Sequence, residues 1–183
     1  AKVVFTNGMD KVKIYNRTSF IDATGTPAAG NTLARACIAW NNRIFLANTT
    51  EGGTSFPQRI RWCATGDLTD WSGADTGNVD LWDREDTITA LALLGNQLHV
   101  IREWLIQRGS YVGEADRLIV YEDTIDNEGV FAARAVAPGG DSLTFMGHKS
   151  FYLYRGLTSL EDRGSKIARS LLNVDGELDP ATN

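Results

Sequence analysis

Cysteine is almost missing: Cys37 and Cys63 are the only two. One pair gives no disulfide framework, and both sit in apolar, strand-like runs where a free thiol acts as a small hydrophobe. Neither a CxxC motif nor a Cys/His cluster occurs, which excludes the usual zinc sites. Histidine is as scarce, with His99 and His148 alone. His99 alternates with Leu98 and Val100 in a strand, and His148 sits in a turn, so both read as structural residues. No Gly-x-Ser-x-Gly elbow, Walker loop or HExxH motif is present. With no nucleophile, base and orienting group in any local pattern, the sequence predicts no catalytic, cofactor-binding or metal-binding residues and no cofactor.

Positive charge is not in excess either. Lys and Arg number 18 against 23 Asp and Glu, a net charge of −5. A duplex-binding protein clusters its basic residues. The densest basic group here, Arg59 and Arg61, alternates with Ile60 and Trp62, the pattern of a solvated strand face. The longest run without a charge, around Leu91 to Val100, is interrupted by Gly95-Asn96-Gln97 and too short to span a bilayer. Ala1-Lys2-Val3-Val4-Phe5 reads as the interior of a strand and lacks signal-peptide organisation. Together with the unclosed stretch Gly176 to Asn183, it gives the expectation that residues 1–183 are a slice of something longer.

Helical periodicity is nearly absent, and strand signals take its place. Short runs rich in Val, Ile, Leu, Phe, Tyr and Trp are bounded by Gly, Asn, Asp or Pro. Val3–Thr6 and Val12–Tyr15 flank Asn7-Gly8, read as a tight turn. Ala36–Trp40 and Arg43–Asn48 flank Asn41-Asn42; Ile88–Leu94 and Gln97–Ile101 flank Gly95-Asn96. Gln58–Ala64, Trp104–Arg108, Leu118–Glu122, Phe131–Val136, Ser142–Met146 and Ser150–Tyr154 complete the set, with turns at Gly139-Gly140-Asp141 and Gly147-His148-Lys149.

A repeat chooses among the all-β architectures. Segments 36–47, 89–100 and 133–145 share one plan: strand, turn, strand. Their turn residues Asn42, Asn96 and Asp141 lie 54 and 45 residues apart. Periods of about 40–50 residues are the size of a propeller blade. The longer interval is ascribed to an insertion at Thr49–Pro57. Each unit then reads as one antiparallel four-stranded sheet that stacks on its neighbours. The expected fold is all-β: an incomplete β-propeller of about four blades, its ring continued by missing chain.

In the stretch Thr65-Gly66-Asp67-Leu68-Thr69-Asp70-Trp71, Asp and Thr side chains are expected to bond nearby backbone N–H groups, with Trp71 folded back as an apolar plug. Trp62 and Trp71 are both expected to be buried between sheets. The acidic run Asp75, Asp80, Asp83, Glu85 and Asp86 matches no EF-hand spacing and reads as a solvated loop, a calcium site being the alternative.

The order of motifs resembles β-propeller tail proteins of bacteriophages. Arg43-Ile44-Phe45-Leu46, then Arg59-Ile60-Arg61-Trp62-Cys63-Ala64-Thr65-Gly66-Asp67 and Trp71, are similar to the strand-turn signature of nozzle and stabilisation proteins, with Cys63 in place of a small polar residue. Ile101–Gly109 and Asn127–Val136 resemble two further motifs of that family, and the likeness spans about Val3 to Leu178. The resemblance implies a structural, non-enzymatic part of a phage tail nozzle, tube or neck. It implies copies assembled in a ring around the DNA-conducting channel, neighbouring tail or neck proteins as partners, and DNA passing without sequence-specific binding. It also implies a virion location after synthesis in the bacterial cytoplasm, with no membrane insertion. In a ring, the acidic run would face the lumen or rim, and Thr49–Pro57 and Ser110–Arg117 would carry the contacts.

The alternative is a propeller acting on host surface glycan, carbohydrate-binding or sialidase-like. Trp82-Asp83 and Tyr111 are the aromatic candidates. Thr65–Trp71 superficially resembles a sialidase Asp box, but Gly66 precedes Asp67 and Asp70 separates Thr69 from Trp71.

Overall fold

A computed structural model describes residues 2–23, 25–27, 30–114, 117–130, 132 and 135–164. The expectations for Phe131, Ala133, Arg134 and 165–183 lie outside the described residues. Fifteen β-strands and no helix make up the regular structure of the described part. No helix there is long and apolar enough to cross a membrane.

The strands form four antiparallel sheets in which chain order is spatial order. Sheet 1 holds β1 (Val3–Phe5), β2 (Lys13–Tyr15) and β3 (Phe20–Asp22). Sheet 2 holds β4 (Thr32–Trp40), β5 (Arg43–Glu51), β6 (Thr54–Trp62) and β7 (Gly77–Asp80). Sheet 3 holds β8 (Ile88–Leu94), β9 (Gln97–Arg102), β10 (Leu105–Tyr111) and β11 (Ile119–Asp126). Sheet 4 holds β12 (Val136–Pro138), β13 (Leu143–Met146), β14 (Phe151–Tyr154) and β15 (Leu160–Asp162). The all-β reading and the one-sheet-per-repeat plan therefore hold, with three strands rather than four in sheet 1.

Turn chemistry sets the registers. Asn41 and Asn42 both take positive φ, 46° and 58°, and close β4 on β5 with Trp40 opposite Arg43. That is the two-residue turn whose twist matches a hairpin. Gly95 at φ 57° does the same between Leu94 and Gln97. Asn7-Gly8 departs from expectation. Phe5 pairs with Lys13, so the connection is a long loop, in which Asn7 Oδ1 accepts from the Met9 and Asp10 amides at 2.9 and 2.8 Å.

Thr49–Pro57 also departs from expectation. It is no insertion but the distal half of the β5–β6 hairpin, turning at Gly52-Gly53 with Glu51 opposite Thr54. The register slips at a bulge between Ala47 and Thr49, where Asn48 has φ 54°. Pro57 falls in the gap of that ladder, where a residue without an N–H is tolerated.

Three apolar clusters join the sheets in order. Val12, Ile14, Leu46, Cys63 and Trp71 pack sheet 1 on sheet 2. Phe45, Ile60, Leu98 and Val100 pack sheet 2 on sheet 3. Ala92, Ile101, Leu143, Phe145 and Tyr154 pack sheet 3 on sheet 4. Sheet 3 is thus covered on both faces, which explains why β9 is nearly all buried. Its period-2 alternation sends Leu98 and Val100 to one neighbour and Ile101 to the other.

Turns of adjacent sheets touch at matching ends. Trp40 Nε1 donates to the Asn96 carbonyl at 3.2 Å, and His148 Nε2 meets the Glu103 carbonyl at 2.8 Å. The first strands of sheets 2 and 3, β4 and β8, lie in contact.

Candidate functional site

The acidic run is a solvated loop only in part: Asp75, Asp83 and Glu85 are exposed, whereas Asp86 is buried. Gly77–Asp80 is strand β7, on the edge of sheet 2, and four of the five carboxylates engage arginines. Asp75 bonds the nearly buried Arg43 and also accepts from the Thr65 amide at 2.9 Å. Those bonds, Arg43's first, hold the Asp75 carboxyl down at about 2. Arg59 grips Asp80 with two bonds of 2.7 Å, and Arg61 grips Glu51 with two of 2.9 Å. Arg59 and Arg61 keep only 14 and 12% of their side-chain surface, so they too are not the solvated face expected.

Arg102 is the centre of the set, with no exposed surface. It donates to Asp83 at 3.0 Å and to the Arg84 and Asp86 carbonyls at 2.6 and 3.1 Å. Asp86, 1% exposed at its side chain, lies 3.8 Å from Arg102 Nε. Its two oxygens accept the Glu103 and Trp104 amides at 3.1 and 3.0 Å. One ion pair thereby ties the sheet 2–sheet 3 crossover to the β9–β10 turn. Among the described residues, no three His, Cys, Asp or Glu gather as metal ligands would. The acidic side chains fix backbone instead.

Trp71 is buried as expected, 4% exposed. Asp67 Oδ1 accepts from Thr69 N at 2.9 Å, and Asp70 Oδ1 from Gly73 N at 2.8 Å. Trp62 is only half-buried, lying against sheet 3 with its ring over Gly77, where a Cβ would come within 2.6 Å of it. Cys37 and Cys63 are both free; Cys63 Sγ accepts the Ile44 amide at 3.1 Å.

His99 has no exposed surface and faces sheet 4. Its Nδ1 lies 3.2 Å from the Tyr154 hydroxyl, which in turn is 2.8 Å from Thr124 Oγ1. Nε2 has no hydrogen-bond partner. Burial, and then the neighbouring Arg108, lower its pKa to about 4. An imidazole near 6.5 in the unfolded chain therefore takes up its proton first on unfolding. Stability is full above about pH 6.5 and falls as pH drops toward 4, by about 1.4 kcal/mol per unit. The expected loss between pH 7 and 4.5 is about 2–3 kcal/mol. Urea titrations at both pH values check it, with His99→Gln as the control. A wild-type loss no larger than the variant's would show that His99 does not carry it.

His148 lies flat on Trp104, centroids 3.7 Å apart and planes 4° apart, bridging the second turns of sheets 3 and 4. The glycan-type aromatics are dispersed: Trp82 is 73% exposed, whereas Tyr111, 38% exposed, packs edge-on against Trp40. A cavity of about 530 Å³ runs between the edges of β4 and β8 under the Thr6–Met9 loop. A second, of about 280 Å³, shares Arg35 and Thr89 with it. Arg35 is exposed there and makes no ion pair among the described residues. Nothing in this lining couples a nucleophile to a base. The chain matches no family model and no curated protein.

Proposed function

We propose that the chain is a slice of a β-propeller that serves as a structural part of a bacteriophage tail. It assembles as a ring around the DNA-conducting channel and acts without catalysis. One observation carries the reading: four meander sheets stack in chain order through three separate apolar clusters, with the first strands β4 and β8 side by side. A propeller brings the first strands of successive blades together around its axis in this way. The motif order from Arg43 to Trp71 supports the tail family within that class.

The buried Arg102–Asp86 pair fits a rigid conduit, since it clamps the crossover from sheet 2 to sheet 3. A wall that passes DNA must not grip it, because each phosphate contact adds salt-dependent affinity. The groove beside β4 and β8 has one charged side chain, Arg35, among uncharged residues. The carboxylates of Asp75, Asp80 and Asp86 are engaged within the molecule, so the lumen takes no negative lining from them.

Trp82, exposed beside Asp83, favours the second reading, a glycan-binding surface. An image of the assembled particle decides between them. A closed ring of this chain on the tail axis supports the conduit; a position at a fibre tip against host glycan puts the second reading in its place. Glycosidase turnover by the purified chain, lost on substituting a cleft arginine or glutamate, would overturn the non-enzymatic reading.

A further inference from the structure

Arg35 is a cation held in a groove without an anion. It lines both cavities between sheets 2 and 3 and makes no ion pair or hydrogen bond among the described residues. Its stem is fixed in place. Gly8, at φ 77°, closes over it so tightly that a Cβ there would lie 2.9 Å from Arg35 Cγ. Asn7 braces that loop: its Oδ1 takes the Met9 and Asp10 amides, and its Nδ2 donates to the Asp10 carboxylate at 2.8 Å. The opposite wall is tied down as well, since Asn48 Nδ2 donates to the Ile88 carbonyl at 2.9 Å and joins β5 to β8. The groove is therefore built between two packed sheets and the 6–9 loop, not on a face at either end of the stack. It presents free guanidinium N–H donors, the fork that matches a phosphate.

The rest of the lining selects among phosphates. Thr6 and Thr89 donate their hydroxyl protons to the Ala34 and Ile101 carbonyls, so their oxygens are left as acceptors. An acceptor repels a phosphate oxygen and takes the hydroxyl of a sugar. Ala36, Ala90 and Leu91 add an apolar flank for the C–H face of a sugar ring. No aromatic side chain lines the cavity, so a base has nothing to stack on. The volume of about 530 Å³ falls in the range of small-molecule sites and exceeds what a lone phosphate fills. Glu103 lines the second cavity and not the first, which places the anion in the first.

We propose that the groove between β4 and β8 binds a free sugar phosphate, with Arg35 on the phosphate oxygens and Thr6 and Thr89 on the sugar hydroxyls. A DNA strand carries the same phosphate, but its backbone hydroxyls are esterified and give the two threonines nothing to accept. The site stands apart from the ring reading, because its walls lie within one chain.

An NMR titration of the 183-residue chain with ribose 5-phosphate tests this. Saturable shifts are expected at the Gly8, Arg35 and Thr89 amides, with a Kd of about a millimolar or below. Arg35→Gln, at an exposed position, should keep the wild-type melting temperature and weaken binding about tenfold or more. Arg155→Gln, which removes an exposed arginine on sheet 4, should bind like wild type. Inorganic phosphate and a short oligothymidylate should each bind about tenfold more weakly than the sugar phosphate. The site is overturned if ribose 5-phosphate shows no saturable shifts, or if Arg35→Gln binds it like wild type. Inorganic phosphate binding as tightly would remove the sugar contacts, and so would tighter binding of the oligothymidylate. A chain on the tail axis without this affinity loses the site alone; affinity in a chain found on no tail loses the conduit alone.

Discussion

Replacing Arg102 with methionine is expected to destabilise the chain by about 3–5 kcal/mol, as breaking one side of a buried ion pair does. Methionine keeps most of the apolar stem and removes the charge, so packing changes little. What remains is Asp86, its side chain 1% exposed, with its cation gone. The Arg84 and Asp86 carbonyls lose a charged donor at the same time. Each buried acceptor left without a donor adds about 1–3 kcal/mol to the penalty. A urea titration with an unchanged m-value measures the loss.

Two controls locate it. Asp83→Asn removes the other carboxylate partner, but Asp83 is 44% exposed at its side chain and water replaces the bond. Arg155→Met breaks an exposed pair, which is worth about 0–1 kcal/mol. If Arg102→Met costs no more than Arg155→Met, the ion pair does not clamp the crossover.

That clamp was invisible in the sequence for a physical reason. Asp86 and Arg102 meet only because the crossover into β8 and the end of β9 come to the same end of sheet 3. In the chain, Asp86 belongs to an acidic run that reads as solvated, and Arg102 follows an apolar one. Charge patterns carry no record of which carboxylate a distant guanidinium will find. The turns were legible because their causes are local. Asn41, Asn42 and Gly95 supply positive φ themselves, and Asp67 and Asp70 bond amides two or three residues on. Long runs such as Ile88–Leu94 announced their strands. The short edge strands β3, β7 and β15 did not. Gly77-Asn78-Val79-Asp80 has one apolar residue and becomes a strand because Arg59–Trp62 offers it a partner edge. Pro57 concealed a hairpin because only the tertiary bulge at Asn48 gives it a place.

Trp71→Ala is expected to cost about 3–5 kcal/mol, the range for emptying a buried aromatic site. The indole is 4% exposed and fills the space among Val12, Ile14, Ala34, Leu46 and Cys63. The site has little room to collapse. Gly25 backs onto the Thr69 carbonyl so closely that a Cβ there would lie 1.8 Å from it. Asp67 and Asp70 hold the turn from within. Trp71→Phe keeps a ring in the site but gives up the Nε1 bond to the Leu68 carbonyl at 2.8 Å, so roughly 1 kcal/mol of the loss belongs to that bond. Trp62 provides the contrast. It lies only half-buried beside Phe45, ring centroids 6.2 Å apart, and part of its surface already meets water. Its truncation to alanine should cost roughly 1–2 kcal/mol, in proportion to the smaller apolar area lost. Denaturant titrations of the three variants test the ranking Trp71→Ala, then Trp62→Ala, then Trp71→Phe. Equal losses at Trp62 and Trp71 would mean that the junction of sheets 1 and 2 does not depend on the Trp71 plug, and that the turn built around Asp67 and Asp70 holds its shape without it.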